Sequence, residues 1–206
     1  MAPVSNAPSP AEAGPSPSSP APDRRRALLR AALELFADKT YGGTAVPDIA
    51  ARAQVGTGTV YRHFDSKADL ANSVYRHCKG VMREGLEAAL ASGGDSAEQF
   101  LRLWKSLAAM AQADPVALRF LELQHHEDYL DERSRAVSDS VFATAEQYVR
   151  SGQRSGAIRA GDPKMIIALV FGGFVGLFKE ASLGRLTLDP ATVQAAGESV
   201  WRMVRA

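Results

Sequence analysis

The feature that most constrains the fold of this chain is a segment from Asp48 to Phe64, whose pattern predicts two short helices joined by a tight turn. Ile49 and Ala50 give the first helix an inward face, and the small side chain of Ala50 lets the second helix cross closely at a steep angle. In the second helix Val60 and Phe64 stand at i and i+4, so they form one buried stripe. The opposite side of the second helix therefore faces outward.

Helical spacing of apolar residues is also found before this segment. Leu29, Leu33 and Phe36 stand at i, i+4 and i+7 and predict a first helix from about Arg24 to about Asp38. The glycines at positions 42 and 43 adopt positive φ easily and fit poorly inside a helix. We therefore expect the first helix to end before them.

The remainder of the chain carries helical patterns as well. Ser66 and Asp69 form a capping box at the start of a long amphipathic helix that we expect to extend to about Ala91. Apolar spacing and well-placed prolines then predict five more helices, near residues 96–113, 115–127, 131–155, 163–184 and 190–205. No stretch alternates at a period of two residues for long enough to predict a strand. The expected fold class is all-α.

Residues 1–22 differ in composition from the rest of the chain. They contain seven of the eleven prolines, mixed with Ala, Ser and Gly and with almost no large apolar side chain. Such a segment cannot bury enough surface to fold, so we expect a disordered arm over residues 1–23. The arm is followed by Arg24, Arg25 and Arg26, which either contact phosphates or simply solvate the start of the first helix.

Charge is distributed unevenly, although the whole chain has a formal net charge of only +1. Residues 24–79 hold ten Lys and Arg against five Asp and Glu, a net charge of +5, whereas residues 80–206 hold fourteen against sixteen, a net charge of −2. The division indicates a polyanion-binding segment joined to a nearly neutral one, although chance variation also produces excesses of this size. We expect one helical domain over residues 24–75 and a second over residues 76–206.

The composition is that of an ordinary soluble globular protein, with 46% hydrophobic and 23% charged residues. The sequence has no uninterrupted apolar run of about eighteen residues and does not start with a basic segment followed by an apolar one. We therefore expect a cytoplasmic protein that does not associate with a membrane. The single cysteine, Cys78, excludes a disulfide framework and a cysteine-rich zinc site, so we expect no metal and no cofactor.

The outward side of the second short helix has the chemistry of a surface that reads nucleic acid. On a helix that begins near Thr57, residues Thr59, Arg62 and His63 fall at i, i+3 and i+4 and share the face opposite the buried stripe. An arginine on such a face can form bidentate hydrogen bonds with guanine in the major groove. Gly58 removes a side chain from the first turn and allows close approach of the backbone. The pattern predicts a helix-turn-helix that binds double-stranded DNA.

At these residues the chain resembles the tetracycline-repressor-like (TetR/AcrR) family of bacterial regulators. The resemblance covers about residues 25–75, and the stretches that carry it are Leu33-Glu34-Leu35-Phe36, Thr44, Asp48-Ile49-Ala50, Gly58-Thr59-Val60-Tyr61-Arg62-His63-Phe64 and Ser66-Lys67-Ala68-Asp69-Leu70. It implies that the residues contacting phosphates are Thr44, Thr57, Tyr61 and Lys67. It implies that the residues facing bases are Gly58, Thr59, Arg62 and His63.

Three positions depart from the pattern of that family. Gln54 stands where the family usually has a turn glycine, and Gly56 stands where it usually has a capping serine or threonine. A glutamine in the left-handed conformation costs on the order of 1 kcal/mol, and a glycine cap loses only a few tenths relative to serine. Pro47 occupies a position that often carries a polar reader, so recognition should depend more heavily on the second short helix.

The region after residue 95 has no comparable motif. The resemblance implies a ligand-binding domain whose last two long helices pair with their copies in a twofold homodimer. The apolar run 171–178 and the stripe of Val193, Val200 and Val204 fit either that interface or an ordinary core. A twofold dimer would place two recognition helices about 34–36 Å apart and would predict a pseudo-palindromic operator.

A pocket for a small-molecule effector is also expected in this domain. Its apolar body and polar tips are predicted to come from Trp104, Phe120, His125 and Tyr129, although each of them also suits a core or surface position. His126 follows His125 directly, and adjacent helical residues point about 100° apart, so the pair is a poor chelator.

Taken as a whole, the sequence predicts a DNA-binding transcriptional regulator. An enzyme is not expected, because we find no suitably placed pair of carboxylates, no Gly-rich phosphate loop, no HExxH motif and no nucleophile elbow. The expected mechanism is repression by operator occupancy, relieved by a small apolar or amphipathic effector, with activation left open. The alternative is a helical protein-interaction module that does not bind DNA. Salt-dependent, sequence-selective duplex binding would separate the two.

Overall fold

The computed structural model describes residues 21–123 and 126–206. Over these ranges the chain forms nine α-helices and no β-strand, and an isolated antiparallel bridge joins Ile158 to Arg205. The helices are α1 (Ala21–Lys39), α2 (Val46–Arg52), α3 (Thr57–His63), α4 (Lys67–Ala91), α5 (Ser96–Ala113), α6 (Pro115–Leu123), α7 (Glu132–Arg154), α8 (Pro163–Ser182) and α9 (Pro190–Val204). The all-α fold class is confirmed.

Helix α1 begins earlier than predicted, at Ala21 and not near Arg24. Pro22 stands in the first turn of α1, where proline is tolerated. The negative charge of Asp23 in the same turn is stabilised by the positive end of the helix dipole. Asp23 also pairs with Arg26 at 3.6 Å. Residues 21–23 therefore belong to α1 and not to the expected arm, of which residues 1–20 lie outside the described part of the chain.

The described part of helix α6 is Pro115–Leu123, and residues 126 and 127 are not helical, so the helix does not reach residue 127 as predicted. The later helix boundaries agree with the predictions to within two residues. Asn72 of α4 holds the chain in a non-helical connection after α6. Its side-chain amide donates to the carbonyl oxygen of Tyr129 at 2.7 Å and accepts from the backbone N–H of Asp131 at 2.9 Å. These long-range hydrogen bonds tie the segment before α7 to α4.

The first three helices pack as their apolar pattern predicted. Ile49, Ala50, Val60 and Phe64 are each no more than 2% exposed, and they lie in one core with residues of α1 and α4. Gln54, in the turn between α2 and α3, has a φ of 55°. It therefore adopts the left-handed conformation that favours glycine. The orientation of α3 is set by its buried stripe.

Helix α4 connects this unit with the later helices. It is 25 residues long, and its buried side chains pack against α1 on one side and against α5 and α7 on the other. One continuous core extends from Leu28 in α1 to Val141 in α7. The expected domain boundary near residue 75 thus falls inside a single helix.

Helix α8 is apolar along most of its length but largely uncovered. By length and composition it could cross a membrane, and only 17% of its most apolar window is buried. Met165 and Leu169 are 44% and 43% exposed, and Gly172 and Gly176 follow on the same side at helical spacing, also exposed. We call these four residues the α8 face.

Candidate nucleic-acid interface

The residues of α3 that do not enter the core form one continuous surface, which we call the α3 face. Its members are Thr57, Gly58, Thr59, Tyr61, Arg62 and His63. Tyr61 is 55% exposed, Arg62 is also exposed, and Thr59 and His63 are half-buried. The structure therefore brings together six of the eight residues that the sequence proposed for DNA contact.

The polar side chains of the α3 face make no hydrogen bond or ion pair with any other described residue. Other arginines nearby behave differently, since Arg30 and Arg52 both bind the carboxylate of Glu34, at 2.8 and 2.7 Å. These two cations hold the pKa of the Glu34 carboxyl below its usual value. Arg62 keeps all of its donors available for a molecule outside the chain.

Gly58 is not required by the fold of α3. A Cβ atom at this position would meet nothing within 4 Å, and its backbone is not in the positive-φ region. Alanine would be a better residue than glycine for helix stability. The open space above Gly58 is instead the kind of gap through which a partner approaches the backbone closely.

Thr44, also proposed for DNA contact, does not lie on the α3 face. Its side chain is buried, only 2% of the residue being exposed, and its hydroxyl group lies 2.8 Å from the carbonyl oxygen of Thr40 and 3.2 Å from that of Leu35. The hydroxyl closes the turn between α1 and α2. The turn encloses this hydroxyl group, and a phosphate contact of Thr44 stays a prediction.

Lys67 lies at the start of α4, half-buried between that helix and the turn after α1. Its ammonium group donates to the carbonyl oxygens of Tyr41 and Thr44, at 3.0 Å each, and lies 4.2 Å from the centroid of the Tyr41 ring. Two of its three N–H groups are therefore used within the fold. One remains for an external anion.

Sequence reasoning did not assign Arg25 to the interface. The guanidinium carbon of Arg25 lies 5.1 Å from the centroid of the Phe64 ring, which places this exposed cation beside the end of α3. The run of three arginines was the available signal, but the sequence did not distinguish phosphate contact from solvation. The position beside α3 favours phosphate contact for Arg25.

Trp104, Phe120 and Tyr129, from which a pocket was predicted, are packed in the cores of the described chain, and His125 lies outside the described residues. Trp104 is 2% exposed and donates from its indole nitrogen to the carbonyl oxygen of Val193 at 2.9 Å. Phe120 is fully buried in the core that contains α1, and Tyr129 stacks on Tyr41 with ring centroids 4.4 Å apart. These aromatic residues belong to two separate cores, so they do not surround a common space.

A cavity of about 110 Å³ lies elsewhere, between α4, α5, α7 and α8. Its lining is apolar except for Lys79 and Tyr148, and it includes Met82, Leu86, Phe100, Val141 and Phe171. The hydroxyl group of Tyr148 already donates to the carbonyl oxygen of Ser96 at 2.6 Å. Sequence reasoning missed this cavity because its lining comes from distant helices whose apolar residues look like ordinary core residues.

Cys78 and the possible metal ligands also bear on the chemistry of the described chain. Cys78 is buried, and burial raises the pKa of its thiol to about 12, so it stays protonated and unreactive. Over residues 21–123 and 126–206, no group of three His, Cys, Asp or Glu side chains is placed to hold a metal ion.

Two family models match consecutive parts of the chain. The model described as bacterial regulatory proteins, tetR family, covers residues 28–74, and the model described as tetracyclin repressor-like, C-terminal domain, covers residues 75–206. The chain belongs to the tetR family of bacterial regulatory proteins. The resemblance found in the helix-turn-helix residues is thereby confirmed, and it extends through the second half of the chain. This family consists of DNA-binding transcriptional regulators.

Curated relatives of this tetR-family chain agree with the assignment. An HTH-type transcriptional repressor of Mycobacterium tuberculosis is 41% identical where the two align, over 28% of this chain and 36% of that protein. The chain thus spans about a third of the length of the first curated relatives that it matches. The HTH-type transcriptional regulator YhgD of Bacillus subtilis is 20% identical over 83% of this chain and 91% of that protein.

Solved structures extend the likeness to the whole tetR-family fold. A TetR family transcription regulator from Marinobacter aquaeolei is 21% identical and has a TM-score of 0.81, with 89% of this chain and 96% of that chain covered. A TetR-family transcriptional regulator from Haemophilus influenzae is 19% identical and has a TM-score of 0.73, with 90% and 98% covered. These likenesses concern the fold, including the arrangement of α5 to α9 for which the sequence has no motif.

Proposed function

We propose that this tetR-family chain is a sequence-specific repressor that binds a pseudo-palindromic operator as a homodimer and is released by a small-molecule effector. The observation that carries the proposal is the α3 face, whose polar side chains are exposed at a helix surface and unused by the fold. A surface of this kind satisfies its hydrogen-bonding groups with water or with a partner. Repression is also the activity in the name of the relative that is 41% identical.

The roles on the α3 face follow from side-chain chemistry. Arg62 has the planar fork that matches the O6 and N7 atoms of guanine, and Thr59 and His63 lie next to it on the helix. Tyr61 and Thr57 flank these residues with hydroxyl groups suited to phosphate oxygens. The remaining N–H of Lys67 and the guanidinium of Arg25 add two cations around the same helix.

The α8 face is the proposed dimer contact. Its exposed residues are apolar or lack a side chain, and glycines at Gly172 and Gly176 allow two helices to approach closely. Met203 of α9 is 43% exposed and extends the apolar surface. A twofold axis at this surface would allow the two α3 faces of the dimer to contact two half-sites of the operator that are about 34–36 Å apart.

Helix α4 is the proposed route from effector to operator. Its first residue, Lys67, holds the turn after α1, and its residues Lys79, Met82 and Leu86 line the cavity. Lys67 and Lys79 are about 18 Å apart along the helix at 1.5 Å per residue. An effector in the cavity releases DNA if it binds the operator-free arrangement of α4 more tightly than the operator-bound one.

The test is selection of duplexes from a random pool by the purified full chain, repeated with Arg62→Ala and with Tyr61→Phe. We expect a pseudo-palindrome, relaxed by Arg62→Ala at one base pair in each half-site at a cost of about 1–3 kcal/mol. Tyr61→Phe removes a hydroxyl group from an exposed side chain and should weaken all sequences equally. Lys67→Ala is a poorer control, because it also removes two hydrogen bonds of the fold.

Enrichment of no sequence at low salt would refute the repressor and leave a helical protein-interaction module as the explanation of the exposed surfaces. A reporter gene placed under the selected sequence then determines the sign of regulation. Reporter expression that rises when the protein is supplied would contradict repression.

A further inference from the structure

Among the described residues, Lys79 is the only charged one that lines the cavity between α4, α5, α7 and α8. The residue is only 8% exposed, although lysine is among the residue types least often buried. A buried ammonium group in an apolar surrounding is costly unless an anion or several hydrogen-bond acceptors surround it. Its ammonium nitrogen is not among the fully buried unpaired atoms of the described residues, so Lys79 places a cation with limited access to water at the edge of an apolar lining.

The described residues provide only partial compensation. The Lys79 ammonium makes no hydrogen bond or ion pair with any of them, and it lies 5.7 Å from the ring centroid of Tyr75 and 5.9 Å from that of Phe142. These aromatic faces attract a cation but do not replace its lost hydration fully. Burial lowers the pKa of the Lys79 amine accordingly.

Glu122 of α6 is the carboxylate that acts on Lys79 from across the helix packing, and it does not come within the 4.0 Å of an ion pair. Burial raises the pKa of the Glu122 carboxyl, and the charge of Lys79 acts in the opposite direction. No carboxylate of the described residues lies within 4.0 Å of the Lys79 ammonium.

We propose that the effector is an amphipathic anion, with a single hydrocarbon tail in the apolar cavity and an anionic head group at Lys79. This inference rests on the proposed function of the cavity as an effector site. The tail removes apolar surface from water against residues such as Met82, Leu86 and Phe171. The head group provides the charge-assisted hydrogen bond that Lys79 lacks. A neutral ligand leaves the ammonium unpaired, and a cationic one opposes it.

The experiment compares ligands that share one tail and differ in the head group. Decanoate, decyl sulfate, decan-1-ol and decyltrimethylammonium are titrated into the full chain by isothermal calorimetry in the absence of DNA. We expect the two anions to bind on the order of tenfold or more tightly than the alcohol, as a hydrogen bond to a charged group implies. We expect the cation to bind more weakly than the alcohol. Comparison of decanoate with decyl sulfate shows whether binding requires a carboxylate or only a negative charge.

Variants locate the head group. Lys79→Met keeps the length of the side chain without its charge, so it should remove the preference for the two anions over decan-1-ol. Lys105→Met is the matched control, because Lys105 is exposed on α5 outside the cavity. Glu122→Gln removes the competing carboxylate and should tighten binding of decanoate. A structural role of Lys79 alone would predict none of these changes in head-group preference.

Ala145 provides a test of location that does not involve charge. It lines the cavity on α7, and Ala145→Phe fills that space, so all four ligands should lose affinity together. Equal affinity for decanoate and decan-1-ol, unchanged decanoate binding in Lys79→Met, or no binding of any ligand would overturn the inference. Operator selection without ligand is measured on the same preparations, so failure of the effector class is distinguished from failure of DNA binding.

Discussion

The α3 face and the α8 face are both uncovered surfaces of helices, but their chemistry is opposite. Polar side chains on the α3 face form hydrogen bonds with water when no partner is present, so their exposure costs little free energy. Apolar side chains on the α8 face gain about 25 cal/mol for each Å² that leaves water. The first surface therefore suits a partner that binds and dissociates, whereas the second suits a partner that remains bound.

The largest expected effect comes from placing a charge on the α8 face. Leu169→Asp brings two carboxylates together at the proposed twofold contact, so the dimer should dissociate in sedimentation experiments. Operator affinity should fall by about 10²- to 10⁴-fold, because the two half-sites are no longer bound by one particle. Val81→Asp is the control, since Val81 is also an exposed apolar residue, at 42%, but lies on α4. A Leu169→Asp protein that stays dimeric would show that another surface makes the dimer.

The second effect separates the two sides of α3. Phe64→Ala empties a buried position, 2% exposed, and should lower the free energy of unfolding by about 3–5 kcal/mol in urea denaturation. Arg62→Ala should change it by no more than about 0.5 kcal/mol, because the Arg62 side chain is exposed and makes no contact that the fold uses. Comparable losses for the two variants would mean that the α3 face has a structural role.

Gly58→Ala should move stability and function in opposite directions. The added methyl group meets no atom of the protein and improves helix propensity, so the free energy of unfolding should rise by up to about 1 kcal/mol. Operator affinity should fall, because the methyl group occupies the gap through which DNA approaches the backbone. Gly80→Ala in α4 is the matched control, since a Cβ atom there also meets nothing within 4 Å. It should raise stability without changing DNA binding.

The smallest expected effect is at the turn between α2 and α3. Gln54 has a φ of 55°, so Gln54→Gly should relieve strain of about 1 kcal/mol, partly offset by the greater freedom of glycine in the unfolded chain. The thermal midpoint should rise slightly, and operator preference should not change. A lower midpoint would indicate that the Gln54 side chain makes a stabilising contact.

The two regions also differ in how far the sequence predicted them. The α3 face was predicted almost completely, because all of its residues lie on one short helix and helical spacing alone orients Thr59, Arg62 and His63 against Val60 and Phe64. The cavity was not predicted, because its lining combines residues from helices far apart in the chain. Trp104 and Tyr129 looked suitable by residue type, but each is used in a separate core.

The all-α class, the helix-turn-helix with its family and the left-handed turn at Gln54 could be predicted, since each depends on residues close together along the chain. Helix packing, which the sequence does not show, turns Thr44 inward, joins Asn72 to the segment before α7 and buries most of Lys79 beside a cavity. The physical reason is that hydrogen bonding and burial between distant helices depend on their packing. Local spacing orients a side chain on its own helix but does not specify what lies opposite.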